Sequence, residues 1–522
     1  VINICNDKYH TDITFQNIVQ SGLDDPKVYQ LLQKGYTQNI FQFSSKGMTK
    51  FLVSMQPDKI EDLIAANALF RPATLDSGST DKYVDCKLGD ADPVYLWGTY
   101  NAMKNTYGVL CYQEQLAQIA REVGKFSLGE GVKLVKLISK KKVDKILALR
   151  DKFMAGANEN GCPKEDAEAI WHMFEVAGGY LFNKSHATAY AVTAYAGAYL
   201  KANYPTAFYT IALQWAKDDE IPTLMSEMEL CSEAKIVPPD INVSGGTFIT
   251  DYETNKIFWS LSRIKMLGAK ATEWIINERN VRGEFSSIEN FIERIFRYKL
   301  KLYKYWDDPD NPNEATKCPV NARHVRHLIL SGCFDKVENA QSVIERYAIL
   351  EKAAKCLGFE ISEKDIPEDL RNKHYFWSQQ QIAISGIGAI DYKRIYDNSE
   401  AKPQIKGKAS WALLKNIQDP DYDGKRVAIC ANIVDIEEKK FKDKKTGENR
   451  VFCKLLLQQN NDLVEMVIWN DEWMNVRATL CKGGSLSSAK NKMLICSAQV
   501  KYSDYTGGNN LQLYKSSIID IL

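Results

Sequence analysis

The chain has 522 residues, 45% hydrophobic and 25% charged, with 67 basic residues against 66 acidic ones. At about 100–200 residues per domain this is an ordinary folded protein of roughly three or four domains; disorder throughout, a collagen-like fold and a coiled coil are excluded. A net charge of +1 names no partner, and the 12 cysteines, none in a CxxC pair, are expected as free thiols in a reducing cytosol.

Asp7 and Lys8 interrupt any apolar start, so no signal peptide is expected, and the leading Val1 suggests a processed, split or truncated product. Up to about Tyr209 the chain reads as helices broken by short polar loops. Asp25 to Lys34, Val109 to Val123, Val143 to Ala155 and Lys164 to Val176 carry apolar residues at helical spacing. The apolar stretch Ala187 to Leu200 ends at Lys201, short of the ~20 residues a bilayer requires.

From Pro222 the pattern changes. A helix from Thr223 to Ala234 runs into "KIVPPDIN", where Pro238 and Pro239 force extended backbone, and "TFITDYE" with "KIFWSLSRI" predicts a small hairpin. Helices resume to about Cys333. Residues 336 to 420 are charged and weakly periodic, with "SEKDIPEDL" and "NSEAKPQIKGK" as expected linkers. The last hundred residues hold five strand-like segments: "KRVAICANIVDIEEKKF", "NRVFCKLLLQQ", "DLVEMVIWN", "KMLICSAQVKYSDY" and "NLQLYKSS". A helix "DEWMNVRATL" follows the third. Five strands with that helix fit an OB-fold; the alternative is a generic five-stranded β domain.

Three segments carry possible chemistry. "KLVKLISKKKVDKI" puts Lys133, Lys136 and Lys140 on one helical face, with Lys141 and Lys142 beside them. Such a cluster suits a polyphosphate or nucleic-acid backbone, although a lysine run by itself is more simply a solvated helix face. In "GGYLFNKSHATAYAVTAYAGAYL", Lys184, Ser185 and His186 open a helix, where backbone N–H groups favour anions; a histidine there is otherwise only a cap. A Ser-His nucleophile is rejected, because adjacent helical residues do not face each other. Cys318, His324, His327 and Cys333 invite a zinc reading, which the single amphipathic helix from Arg323 to Leu330 and the lack of a Cys-x-x-Cys knuckle argue against. No Walker A, GxGxxG or HExxH motif occurs, and Asp90-Ala91-Asp92 sits in a polar loop.

Eight ordered blocks together resemble the bacterial replicative DNA polymerase III alpha subunit, the C-family polymerases, over residues 25 to 335. They are "NIFQFSSKGMTKFL", "EDLIAANALFRPATLDSG", "TYGVLCYQEQLAQIA", "SLGEGVKLVKLISKKK", "GGYLFNKSHATAYAVTAYAGAYLKANYP", "VPPDIN", "IKMLGAKATEWI" and "HVRHLILSGCFD". The expected organisation is a mainly α-helical fingers region over 1–215, a helix-hairpin-helix region over 216–345 in which the small β hairpin falls, a linker or helical connector over 346–420, and an all-β OB-fold over 421–522. The resemblance assigns Lys136, Lys140, Lys141 and Lys142 to the dNTP triphosphate and places Asn183, Lys184, Ser185 and His186 beside the nascent base pair. Arg71 and Gln113 fall in signature blocks that shape the fingers. Lys265, Gly268 and Lys270 flank the DNA-binding hairpin, and Lys439, Lys440, Lys442, Lys444 and Lys445 form a basic loop for single-stranded DNA. Phe441, Trp469 and Tyr502 are candidate stacking residues, with Trp469 more simply a core residue.

The family's reaction is nucleotidyl transfer between two Mg²⁺ ions held by palm aspartates. Only Val1 to Leu23 precede the resembling region, which starts near Asp25, and Asp7 and Asp12 do not resemble that palm. No catalytic or metal-binding residue is therefore expected in this chain, and a palm-bearing polymerase chain or an upstream segment is the expected partner. Template-primer DNA, single-stranded DNA and dNTP are the other expected partners, in the cytoplasm of a bacterial cell, nucleoid-associated or infected, with no membrane. A sliding clamp is a further candidate, although "SQQQIAISG" lacks the paired Leu-Phe ending. Val135 and Lys136 replace two adjacent arginines, so the bidentate fork is lost. Ala73-Thr74 replaces a Gly-x-Pro, and Met266-Leu267-Gly268 keeps one of two hairpin glycines. The rival reading is a non-catalytic DNA-binding scaffold derived from polymerase fingers.

Overall fold

The computed structural model describes all residues except 140–142, 179, 297–317, 389–391, 398, 400, 406, 443–447, 460–461, 482–483, 491, 504–507, 514–518 and 522. It divides into two units, Val1–Phe208 and Tyr209–Leu522.

The first unit is helical from its start: Ile2–Lys8, Phe15–Gln20, Pro26–Gln33 and Lys46–Met55 lead into Ile60–Leu69. Asp7 thus lies on a helix and Asp12 in the loop after it. The starts follow from local chemistry. Thr14, Asp25 and Ser45 each cap a helix by accepting a backbone N–H, and Pro26 sits where a missing N–H costs nothing. The longest helix, Lys184–Asn203, buries Ala187, Ala191, Ala194 and Ala198 along one side. These small side chains let it pack against Pro26–Gln33 and Ile60–Leu69. A further core gathers the helices Gln113–Glu122, Leu128–Ser139, Val143–Glu159 and Lys164–Ala177 around Phe153, Trp171 and Phe174. Backbone approaches backbone there: a Cβ on Gly156 would stand 2.1 Å from the Gly124 carbonyl oxygen.

In the second unit β1 (Lys235–Val237), β2 (Ile249–Asp251) and β3 (Lys256–Phe258) form a small sheet. The expected hairpin is β2 with β3, antiparallel, and β1 adds to β3 in parallel from the "KIV" ahead of the two prolines. The helices Ala269–Arg282, Ile288–Phe296 and Ala322–Leu330 share one core with Arg346–Leu357 and His374–Ser385. Ile349, Leu350, Phe376 and Trp377 are buried in that core, so residues 346–385 do not form the separate connector expected from their charge. Charge on the outer face masked the inward apolar positions.

β4 (Ser410–Trp411), β5 (Arg426–Lys442), β6 (Asn449–Gln459), β7 (Asp462–Ile468), β8 (Met493–Ser503), β9 (Gly508–Gln512) and β10 (Ile519–Ile521) make the second sheet. Five of these strands are the expected ones, and they close a ring: β5–β6–β7–β9–β8 and back to β5. β5 is long enough to serve two neighbours. Its first half pairs with β8 and its second with β6, with an irregularity between Ile433 and Asp435 where the strand bends. The helix Asn470–Cys481 lies between β7 and β8, as expected, and buries Trp473, whose indole N–H donates to Glu438 (2.8 Å). Among the described residues no helix is long and apolar enough to cross a membrane, and no disulfide forms.

Candidate nucleotide and nucleic-acid interface

The start of helix Lys184–Asn203 is built by a bridge between Tyr112 and Phe182. Gln113 N–H donates to the Phe182 carbonyl and Phe182 N–H to the Cys111 carbonyl, each at 2.9 Å. The bridge sets the first turn of Gln113–Glu122 beside the first turn of Lys184–Asn203. From there the Glu114 carboxylate accepts the Lys184 N–H (2.9 Å) and the Asn183 side-chain amide (2.8 Å), while Asn183 Oδ1 accepts the His186 N–H (2.8 Å). The end that the sequence marks as open to an anion therefore already holds a carboxylate and a cap. Ser185 and His186 are exposed, and the Lys184 ammonium lies 5.5 Å from the Tyr112 ring centre.

Arg71 and Gln113 hold the segment before this helix. Arg71 Nη2 donates to the Tyr180 carbonyl (2.6 Å) and Nε to the Ala68 carbonyl (2.8 Å), with its guanidinium 4.5 Å from the Phe182 ring centre. Its partial desolvation lowers its pKa. Gln113 Nε2 reaches the Leu181 carbonyl at 3.5 Å. A file of rings follows: Phe182 to His186 (5.5 Å), His186 to Tyr190 (4.1 Å) and Tyr190 to Phe41 (5.0 Å). Phe182, His186 and Tyr190, together with Arg71, Gln42 and Asn67, line a cleft of about 390 Å³. Glu114, Phe182, Tyr190 and Phe41 escape a motif-based reading. The i, i+4 spacing of His186 and Tyr190 is the one local signal for them.

The basic helix Leu128–Ser139 turns Leu134, Val135 and Ile138 inward and exposes Lys133 and Lys136. Ser127 and Glu130 close its start as a capping box, with Ser127 N–H on the Glu130 carboxylate at 3.0 Å. The same carboxylate takes Lys152, and these bonds pull the Glu130 pKa down to about 2. Lys152 is thereby engaged within the unit. Lys140, Lys141 and Lys142 lie outside the described residues.

In the second unit the turn Lys265–Gly268 leads into the helix Ala269–Arg282, whose N-cap, Gly268, has no side chain to close it. Lys265, Gly268 and Lys270 are all exposed there. Met266 takes φ +70° and is 59% exposed, so a side chain occupies the left-handed position where the family's hairpin has glycine. The four residues considered for zinc are engaged elsewhere. Cys318 and Cys333 are buried, His324 Nδ1 accepts the Asn321 N–H (3.3 Å) and His327 Nδ1 meets the Lys265 carbonyl (2.6 Å). On the ring of strands, Lys439, Lys440 and Lys442 are exposed, and Lys439 pairs with Glu437 at 3.0 Å. Lys444 and Lys445 lie outside the described residues. Trp469 is 41% exposed rather than core: it packs with Phe441 (5.7 Å) and Phe452 (5.3 Å) beside these lysines. Tyr502 is exposed on β8, opposite Asn509 of β9.

Residues 1–161 match the family model of the bacterial DNA polymerase III alpha subunit finger domain, and residues 233–304 match that of the helix-hairpin-helix motif. The finger match begins at residue 1, ahead of the first block recognised in the sequence. The chain is 34% identical over 353 residues to the DNA polymerase III subunit alpha of Aquifex aeolicus, covering 67% of this chain and 28% of that relative. It is 28% identical over 528 residues to that of Escherichia coli K12, covering 97% of this chain and 42% of the relative. For Thermus aquaticus the identity is 36% over 285 residues, covering 52% of this chain and 23% of the relative. The chain thus spans less than half the length of these relatives. It belongs to the C-family DNA polymerase III alpha subunits, aligning with the part of them that includes the finger domain and the helix-hairpin-helix motif.

Proposed function

We propose that this chain is the finger, helix-hairpin-helix and OB-fold part of a DNA-directed DNA polymerase that replicates DNA in the bacterial cytoplasm. It binds template-primer DNA and the incoming dNTP, while the palm aspartates that hold Mg²⁺ come from outside these residues. The observation that carries this reading is one cleft lined by Asn67, Phe70 and Arg71 together with Phe182, His186 and Tyr190, inside a unit matching the finger domain, with Cys111 and Gln113 hydrogen-bonded to the Phe182 backbone. Arg71 and Gln113 fix residues 180–182, so that His186 and Tyr190 present ring faces toward a base. Lys136, with Lys140, Lys141 and Lys142, neutralises the triphosphate. The closed ring of β5 to β9 is read as an OB-fold, with Phe441, Phe452 and Trp469 as its stacking platform and the neighbouring lysines on the phosphates of a single strand.

Mg²⁺-supported dNTP binding to a primed template held by the assembled polymerase tests the reading. Lys136→Ala should weaken dNTP affinity about tenfold, the value of one charge-assisted contact. Unchanged dNTP affinity in Lys136→Ala and in His186→Ala would sink it. The scaffold alternative draws on one observation, the Glu114 carboxylate seated where an anion would bind at Lys184. It predicts DNA binding that no dNTP alters.

A further inference from the structure

The hairpin turn holds a residue with a Cβ in a conformation that favours glycine, and its backbone is gripped from two helices. On one side Lys265 N–H donates to the Ile384 carbonyl (2.8 Å), at the end of His374–Ser385. On the other side stand His324 and His327, one turn apart on Ala322–Leu330. The Lys265 carbonyl can only accept, so His327 Nδ1, at 2.6 Å, carries the proton. His324 Nδ1, one turn earlier, accepts the Asn321 N–H (3.3 Å) at the start of the same helix. His327 thus holds the peptide unit that joins Lys265 to Met266. Inside the turn, Leu267 N–H reaches the Ile264 carbonyl (3.0 Å) and Gly268 N–H the Met266 carbonyl (3.1 Å), while the buried Leu267 anchors it below.

We propose that His327 is a positioning residue for DNA binding by the hairpin. By holding the Lys265 carbonyl it keeps Met266 left-handed, so that Lys265 and the Gly268 helix end face a phosphate together. The proposal rests on the reading of this hairpin as a DNA contact. Its distinctive consequence is an interaction between positions 266 and 327: a glycine adopts this φ unaided, so Met266→Gly makes the histidine clamp unnecessary.

The test is a double-mutant cycle on the full chain. It reads anisotropy of a fluorescein-labelled primed-template duplex at a fixed salt of ~0.1 M, because phosphate contacts are salt-dependent. His327→Ala should weaken binding by about 5- to 30-fold, the equilibrium equivalent of the left-handed cost. Met266→Gly/His327→Ala should bind within about twofold of Met266→Gly, since the cycle isolates the pair. His327→Asn, whose amide places an N–H near Nδ1, should keep the affinity. An equal loss in both backgrounds, or none in either, overturns the proposal. If Lys265→Ala with Lys270→Ala leaves duplex binding intact, the DNA reading of the hairpin fails instead. The clamp is then decided by hydrogen exchange at the Gly268 amide. His327→Ala must speed that exchange and Met266→Gly must restore it; unchanged exchange overturns the proposal. Should His327→Ala not fold, recovery of the fold by Met266→Gly in the double variant supports the clamp, and failure to recover opposes it.

Discussion

Two helix starts in this molecule look alike in sequence and differ in what closes them. Lys184–Asn203 opens after Asn183, with Lys184, Ser185 and His186 in its first turn. Ala269–Arg282 opens after Gly268, between Lys265 and Lys270. Each pairs a helix end with lysines, the usual setting for a phosphate. At the first, Glu114 and Asn183 take the Lys184 and His186 N–H groups; at the second, Gly268 offers no side chain. The difference arises 70 residues away in sequence, at Glu114, and no reading of the local motif contains it. A basic helix start is therefore an anion site only once its long-range partners are known.

The comparison is broken most strongly at Glu114. Glu114→Ala strips the Lys184 N–H and the Asn183 amide of their acceptor and should cost about 1–3 kcal/mol in chemical denaturation, from two charge-assisted bonds and the helix dipole. A change within experimental error would mean that the carboxylate does not close this end. The reverse exchange is Gly268→Asp, which gives the second helix start the acid that the first one has. Gly268 has φ −69° and nothing within 4 Å of a built Cβ, so the side chain fits. Stability should hold or rise by a few tenths of a kcal/mol, as N-cap preferences suggest. Duplex DNA affinity should fall about tenfold, because a carboxylate now meets the phosphate. Unaltered DNA affinity would remove this helix end from the interface.

The smallest expected effect is a pH dependence at His324. Desolvation first, then the charges of His327 and Arg323, lower its pKa from 6.5, against the Met266 backbone bond that raises it. The unfolded chain therefore binds this proton near pH 6.5 and the folded chain only at lower pH. Stability from this group is full above about pH 6.5 and declines as pH falls toward the depressed value. The Tm difference between pH 7.5 and 5.5 should shrink in His324→Gln; an equal difference in both proteins would refute the assignment.

The five strands of the ring and the helix after the third were legible because alternation and turn residues are local. β6 and β7 carry their buried residues at every second position over much of their length. β4 and β10, with two and three residues, are too short to leave a pattern, and β1 is defined only by its parallel partner β3. The histidines on Ala322–Leu330 are visible in the sequence only through a zinc reading that the helix and the missing Cys-x-x-Cys knuckle argue against. The acceptor of His327 is a backbone carbonyl of a turn some 60 residues earlier, which side-chain identities do not reveal. Trp469 reads from the sequence as a candidate stacking residue and more simply as core, whereas the platform it forms with Phe452 depends on the register of β6 against β7.

The central claim is that these residues form the nucleotide- and DNA-binding part of a polymerase whose metal-binding palm lies outside them. Primer extension with Mg²⁺ and dNTPs, by this chain alone and then with a palm-bearing C-family polypeptide, tests it most directly. The account predicts extension only with the palm present, reduced by Lys136→Ala. Extension by this chain alone, or DNA binding without extension in either arrangement, would contradict it.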